Sequence, residues 1–150
     1  MPAWLPSVSR TPLAAADRTR IAAAIRAAEQ ATSGELRVHL QPRCGADPCR
    51  DAARVFERLG MTRTAARNGV LIFVAWRSRR FAVIGDTAIH ARVGHAFWQA
   101  TAEAMTPRLA AGDLAGGIEA GLQAAGAALQ QHFPHRPNDV NELPDTISES

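Results

Sequence analysis

The chain has 150 residues, 47% hydrophobic and 21% charged, which suits one globular domain large enough to bury its own core. Its longest apolar run, residues 69–76, is far short of the ~20 residues that cross a bilayer, so a membrane-spanning protein is excluded. The net charge is +3, and all seventeen basic residues are arginine.

The charge is uneven. Residues 43–80 hold nine arginines against Asp47, Asp51 and Glu57, whereas residues 138–150 hold four acids and no base. A basic middle can face phosphates or an acidic partner. The aromatics among these arginines, Phe56, Phe73 and Trp76, belong to apolar runs and do not form the stacking series that single-strand readers need, so solvated helix and turn arginines are expected and specific nucleic-acid binding is not. Residues 1–10 lack the apolar core of a signal peptide, which points to a soluble, cytoplasmic protein. Cys44 and Cys49 suit that compartment, where a thiol pair is seldom a structural disulfide.

In chain order, Thr11-Pro12 reads as a helix start, with an apolar face of Leu13, Ala16, Ile21, Ala24, Ile25 and Ala28 running to Ala31. Thr32-Ser33-Gly34 stops it. Residues 35–41 then alternate, Leu36, Val38 and Leu40 against Glu35, Arg37 and His39, which predicts a strand with one polar face. Asp47-Pro48 caps a short helix over 49–59 that buries Ala52, Ala53, Val55, Phe56 and Leu59, and Gly60 closes it. The apolar run from Val70 to Trp76 reads as a strand buried on both faces, and the four-residue turn Arg77-Ser78-Arg79-Arg80 returns it through residues 81–84 as a hairpin. Residues 87–92 suggest a turn of helix and residues 95–109 a longer one, kinked or split at Pro107. Asp113 caps a last helix to Phe133, with Gly117 and Gly121 packed closely on the sheet. In the tail, Val140, Leu143 and Ile147 are candidates to dock on the body.

A strand joined to the next by a helix lies parallel to it by a right-handed crossover, and a hairpin adds an antiparallel neighbour. The expected fold is therefore α/β: a small mixed sheet of three to four strands with helices on both faces, an α/β/α sandwich. Residues 1–10 form an extension, 11–133 the domain and 134–150 an acidic, proline-containing tail.

That topology brings the start of the first strand, the start of the second and the end of the third to one rim. Glu35, Asn68 and Asp86 converge there, with His90 and His95 behind them. Oxygen ligands suit Ca²⁺ or Mg²⁺, and an added histidine suits Mn²⁺ or Zn²⁺. Two carboxylates near a histidine also suit positioned water for hydrolysis. Structural roles stand beside these: Glu35 pairing with Arg67 or Arg37, Asn68 in a turn before Gly69, and Asp86 as a helix cap. The four residues between Cys44 and Cys49 match neither a zinc ligand pattern nor a redox dithiol, so the pair reads as incidental. No Gly-rich phosphate loop and no Gly-x-Ser-x-Gly elbow is present.

Four stretches carry a family resemblance in order and spacing: Thr32-Ser33-Gly34-Glu35-Leu36-Arg37-Val38, Phe56-Glu57-Arg58-Leu59-Gly60, Arg67-Asn68-Gly69-Val70-Leu71-Ile72-Phe73-Val74-Ala75, and Ala111-Gly112-Asp113-Leu114-Ala115-Gly116-Gly117. Across about residues 14–130 the chain resembles the TPM family. The resemblance implies an α/β/α domain. Plant members look like acid phosphatases with a bound divalent cation, animal members like membrane-tethered receptor modulators, and many bacterial members have no settled activity. After the third strand this chain has Gly85-Asp86-Thr87-Ala88-Ile89-His90 in place of the family's Gly-x-Gly and acid, and it lacks the later aspartate. It looks like a soluble bacterial subtype. The expectation is a binding or assembly module with an unknown protein partner, holding a divalent cation (Ca, Mg or Mn) at Glu35, Asn68 and Asp86. The alternative is a metal-assisted acid phosphatase acting on phosphomonoesters.

Overall fold

Every side chain from Val70 to Ala75 is fully buried, which requires a layer on each face of that strand and a neighbour on each edge. The computed structural model, which describes residues 13–64, 66–135 and 147–150, supplies all four. In chain order it runs α1 (Ala15–Gln30), β1 (Glu35–Gln41), α2 (Pro48–Arg58), a 3-10 turn (Met61–Arg63), β2 (Gly69–Ala75), β3 (Arg80–Gly85), α3 (Thr87–Ala110), α4 (Leu114–His132) and β4 (Ser148–Glu149). The sheet order is β3-β2-β1-β4. β1 is parallel to β2 and to β4, and β3 is antiparallel to β2.

Period-two alternation divides the sheet into two cores. Leu36, Val38 and Leu40 join Val70, Ile72 and Val74 beneath α1, α3 and α4, where Ile21, Ile25, Met105, Ile118 and Leu122 fill the layer. Leu71, Phe73 and Ala75 face the other way, against Ala52, Val55 and Phe56 of α2 and Met61. The expected α/β/α sandwich is present, with three helices on one face and one on the other. Each large side chain buried this way contributes about 1.5–3 kcal/mol.

The local signals act where the sequence places them. Asp47 caps α2 by accepting from the Cys49 and Arg50 amides, and Asp113 caps α4 by accepting from Gly116 N at 2.8 Å. Gly60 ends the α2 segment with φ of 72°.

Several expectations are corrected. Ala16 and Ala53 are exposed, because α1 and α2 each bury a narrower stripe than their alanine content suggests. The polar face of β1 is not solvated: Glu35 and His39 are both buried, His39 beneath β4. The third helix breaks at Gly94 and not at Pro107. Gly94 takes φ 65° and ψ −168°, a conformation close to glycine-only, while Pro107 sits in the last turns without leaving helical dihedrals. The α4 glycines pack mainly on α3: a Cβ at Gly117 would lie 2.5 Å from Leu109 Cδ2, and one at Gly121 would lie 2.7 Å from Met105 Sδ, with Ile72 of the sheet at 3.2 Å. Ile147 docks against the main core as expected. The Thr11-Pro12 cap, the extension, Val140 and Leu143 lie outside the described residues.

Gly117→Ala sets about 1 kcal/mol of helix propensity against overpacking of about 1–3 kcal/mol. Leu109 is branched at the point of contact, so overpacking wins. Urea denaturation is expected to show a net loss of about 1 kcal/mol.

Candidate functional site

The strand register assembles the expected rim. Glu35 lies opposite Gly69 in the parallel pair, and Val70 opposite Gly85 in the hairpin. Backbone bonds then tie the three loops together: Glu35 N donates to Asn68 O (3.4 Å), Asp86 N to Gly69 O (2.9 Å) and Ala88 N to Arg67 O (3.2 Å). Glu35, Asn68 and Asp86 are all buried, and Asn68 Nδ2 donates to Ser33 Oγ at 3.4 Å. Thr32 braces the same rim from behind, donating to Leu129 O and Phe133 O at the end of α4.

Asp86 is fully committed. Arg67 Nε donates to Oδ2 at 2.7 Å and Arg67 Nη2 to Oδ1 at 2.9 Å, while Thr87 N donates to Oδ1 at 2.7 Å and starts α3. Burial would push this carboxyl up; the Arg67 and Thr87 hydrogen bonds and the Arg67 charge outweigh it and hold it below the usual carboxylate range. Arg67 reaches this geometry with φ of 52°, a left-handed conformation that costs a non-glycine residue about 1–2 kcal/mol. Strained backbone of this kind persists where surrounding contacts over-determine it.

Arg67 therefore pairs with Asp86 and not with Glu35. Sequence reasoning had the signal for this pairing: in a tight hairpin the residues just before the first strand lie beside those just after the second. Among the described residues no group of three or more His, Cys, Asp and Glu side chains is arranged to hold a metal. His90 packs its ring against Trp98 at a tilt of 49° (centroids 5.1 Å apart), and His95 is exposed beyond the break at Gly94. Trp98 in turn crowds Gly85, where a Cβ would sit 2.5 Å from its ring.

A cleft of about 540 Å³ opens beside the rim, lined by Ser33, Ala66, Ala88, Arg92, His132 and Phe133 among others. Its ionisable groups are Arg92, whose guanidinium lies over the Phe133 ring at 5.5 Å, and His132. The sequence did not mark this cleft, since its walls come from four separate segments and three of its eight lining residues are alanine. At the opposite end of the sheet several arginines of the basic middle have structural partners. Arg80 donates to the Gly45 and Ala46 carbonyls, Arg54 pairs with Asp51, and Arg77 covers the Trp76 ring. Cys44 and Cys49 are free thiols, pushed up in pKa mainly by burial.

The second buried polar group is His39. Gln41 Nε2 donates to Arg43 O, which turns Gln41 Oε1 toward His39 Nε2 at 3.0 Å and makes that nitrogen the protonated one. Nδ1 then accepts from the Ser148 hydroxyl at 2.9 Å. Burial lowers the His39 pKa, and the nearby Arg58 and Arg37 charges act in the same direction. Two acid transitions follow. The unfolded chain binds a proton at His39 near its ordinary 6.5 while the folded chain resists it, so stability declines as the pH falls through about 6.5. The Asp86 contribution is full above its ordinary 3.8 and is lost as the pH falls below that. Urea midpoints measured from neutral to acid pH are expected to lose the first decline in His39→Gln and the second in Asp86→Asn.

Known proteins set this geometry in context. A family model described as the TPM domain matches residues 9–128. The fold is similar to the solution structure of BA42 protein from the psychrophilic bacterium Bizionia argentinensis, at 38% identity and a TM-score of 0.89 over 95% of this chain and 99% of that one. It is also similar to the N-terminal domain of a P. gingivalis protein (20% identity, TM-score 0.66, 83% of each chain). A third similar structure is the N-terminal domain of the cg2496 protein from Corynebacterium glutamicum (17% identity, TM-score 0.64, 99% of this chain and 95% of that one). No curated protein matches the sequence. With four-fifths of its length under the family model and the rim, hairpin and capped helices in place, the chain belongs to the TPM domain family.

Proposed function

We propose that this domain is a cytoplasmic binding module that engages a protein partner through the cleft beside the rim, and that it is not a hydrolase. The observation that carries this reading is the occupation of both Asp86 carboxylate oxygens by the Arg67 guanidinium. A metal-assisted phosphatase of the alternative kind needs that carboxylate on the metal. With Arg67 in place, Glu35, Asn68 and Asp86 do not fit a divalent cation bound at Asp86. One Asp86 oxygen serves the guanidinium alone, and the other serves the guanidinium and the cap of α3. The arginine supplies internally the positive charge that a bound ion would bring. The adjoining cleft presents Arg92, His132 and the Ser33 hydroxyl, donors that suit an acidic or carbonyl group on a partner better than a cation.

Hydrolysis of p-nitrophenyl phosphate tests this directly. No turnover above background is expected with or without Ca²⁺, Mg²⁺ or Mn²⁺; turnover lost together on chelation and in Asp86→Ala would establish the hydrolase instead. A thermal-shift series separates the cation question from catalysis. Ca²⁺ is expected to leave the wild-type Tm unchanged and to raise that of Arg67→Ala, where the carboxylate is released. A rise in the wild type would show that an ion displaces the guanidinium.

A further inference from the structure

The two edges of β1 are treated differently. One pairs with β2 over all seven residues, while the other is covered by β4 for only two, His39 opposite Ser148 and Leu40 opposite Glu149. Ser150 N adds a bond to Leu40 O at 3.0 Å, and nearer the start of β1 the Glu29 carboxylate accepts from Leu36 N at 2.9 Å. Glu29 thus serves a backbone donor at one end of the strand, and a short parallel segment covers the other end.

All three side chains of that segment have assigned partners. Ser148 Oγ meets His39 Nδ1 at 2.9 Å, and Glu149 pairs with Arg18 of α1. Ser150 Oγ lies 3.1 Å from His39 Nε2 and accepts from Arg58 Nη2 of α2 at 2.8 Å. The acceptor elements therefore present an imidazole with one lone pair and one N–H, flanked by two guanidinium groups. The hold is slight all the same. Among the described residues it has two backbone pairs and the Ser150 amide bond, the two serine hydroxyls' contacts, an ion pair whose side chains are 36% and 43% exposed, and a partly buried Ile147 as its apolar anchor. Segments with few buried apolar contacts open at far lower cost than the core.

We infer that the outer edge of β1 is a strand-acceptor site that reads an extended hydroxyl–acid–hydroxyl segment in parallel register, and that residues 148–150 are its resident, exchangeable occupant. The partner it fits is a chain presenting a serine or threonine on each side of an aspartate or glutamate. Main-chain bonds to the edge supply affinity, and His39, Arg18 and Arg58 supply the selection, which is the division of labour in strand addition generally. This reading is independent of the rim and its cleft.

The charges around His39 make acceptance sensitive to pH. Arg37 on its own strand and Arg58 of α2 face it, Gln41 accepts from it, Phe73 of β2 stacks on it at 5.9 Å, and Glu149 of β4 is the facing acid. Protonation removes the Nδ1 acceptor from the Ser148 hydroxyl and adds a positive charge among the arginines. Occupancy should fall as His39 becomes charged.

The test uses the full ¹⁵N-labelled chain carrying Ser148→Ala, Glu149→Ala and Ser150→Ala, which keeps the resident backbone and deletes its selected side chains. A blocked peptide with the sequence of residues 146–150 is titrated in, beside one with alanine at the last three positions. Saturable shifts are expected at the Val38, His39 and Leu40 amides, with affinity at least about tenfold higher for the native sequence, and weaker at about pH 5 than at neutral pH. No saturable shift, equal affinity for the two peptides, or shifts remote from β1 would overturn the proposal. Wild-type hydrogen exchange provides a second arm that needs no variant. Ser150 N–H is expected to exchange at least about 100-fold faster than Ile72 N–H, relative to their intrinsic rates. Equal protection would mean that the segment leaves only on global unfolding, which also overturns it.

Discussion

Burial of β2 on both faces and both edges is the constraint from which the rest of the molecule follows. A strand with no exposed side chain needs an apolar layer above and below it, so α2 must cover one face while α1, α3 and α4 cover the other. It also needs β1 and β3 to satisfy its backbone on either side. With the centre of the sheet sealed, chemistry is confined to its ends and its outer edge. Among the described residues, those are the places where the buried ionisable side chains stand: Glu35 and Asp86 at one end, and His39 beside the edge strand.

At the rim, one ion pair does two jobs. Asp86 both starts α3 and fixes the guanidinium of Arg67, so the loop before β2 and the turn after β3 become one rigid unit. A single carboxylate acts here as a helix cap and an ion-pair partner, and neither role leaves an oxygen facing an open cavity. Structures sharing as little as 17–20% identity keep the same architecture. Such a fold can carry unrelated activities, so function has to be argued from the residues of a site and not from the architecture.

The sequence made the hairpin legible because two apolar runs flank a short charged turn, and it made the parallel pair legible because a helix separates the strands. The caps Asp47, Asp86 and Asp113 were readable for the same local reason. What was hidden depended on distance along the chain. His39 read as a satisfied polar-face residue of β1, but its depth of burial was hidden because one of its partners, Ser148, arrives 109 positions later. The gap read between residues 87–92 and the helix from residue 95 is where the chain does break, at Gly94, whose backbone takes a conformation costly for any side chain, whereas the further break expected at Pro107 on a rule about missing amides is absent. The convergence of Glu35, Asn68 and Asp86 followed from topology alone. Their bonding was legible only in part: the hairpin sets Arg67 beside Asp86, but the same topology brings Glu35 to that rim, and the choice between the two carboxylates lies in side-chain geometry.

The separation of β1 from β4 also has a consequence for the order in which the molecule is built. Among the described residues the other pairings between named strands join segments within the first 85 residues, and most of the larger core is in place by Phe133. A ribosome releasing this chain would therefore expose an almost finished domain whose outer strand edge stays bare until residues 148–150 emerge. Open edges of that kind are where nascent chains pair with one another. Residues 148–150 thus act as a seal applied after the core has formed.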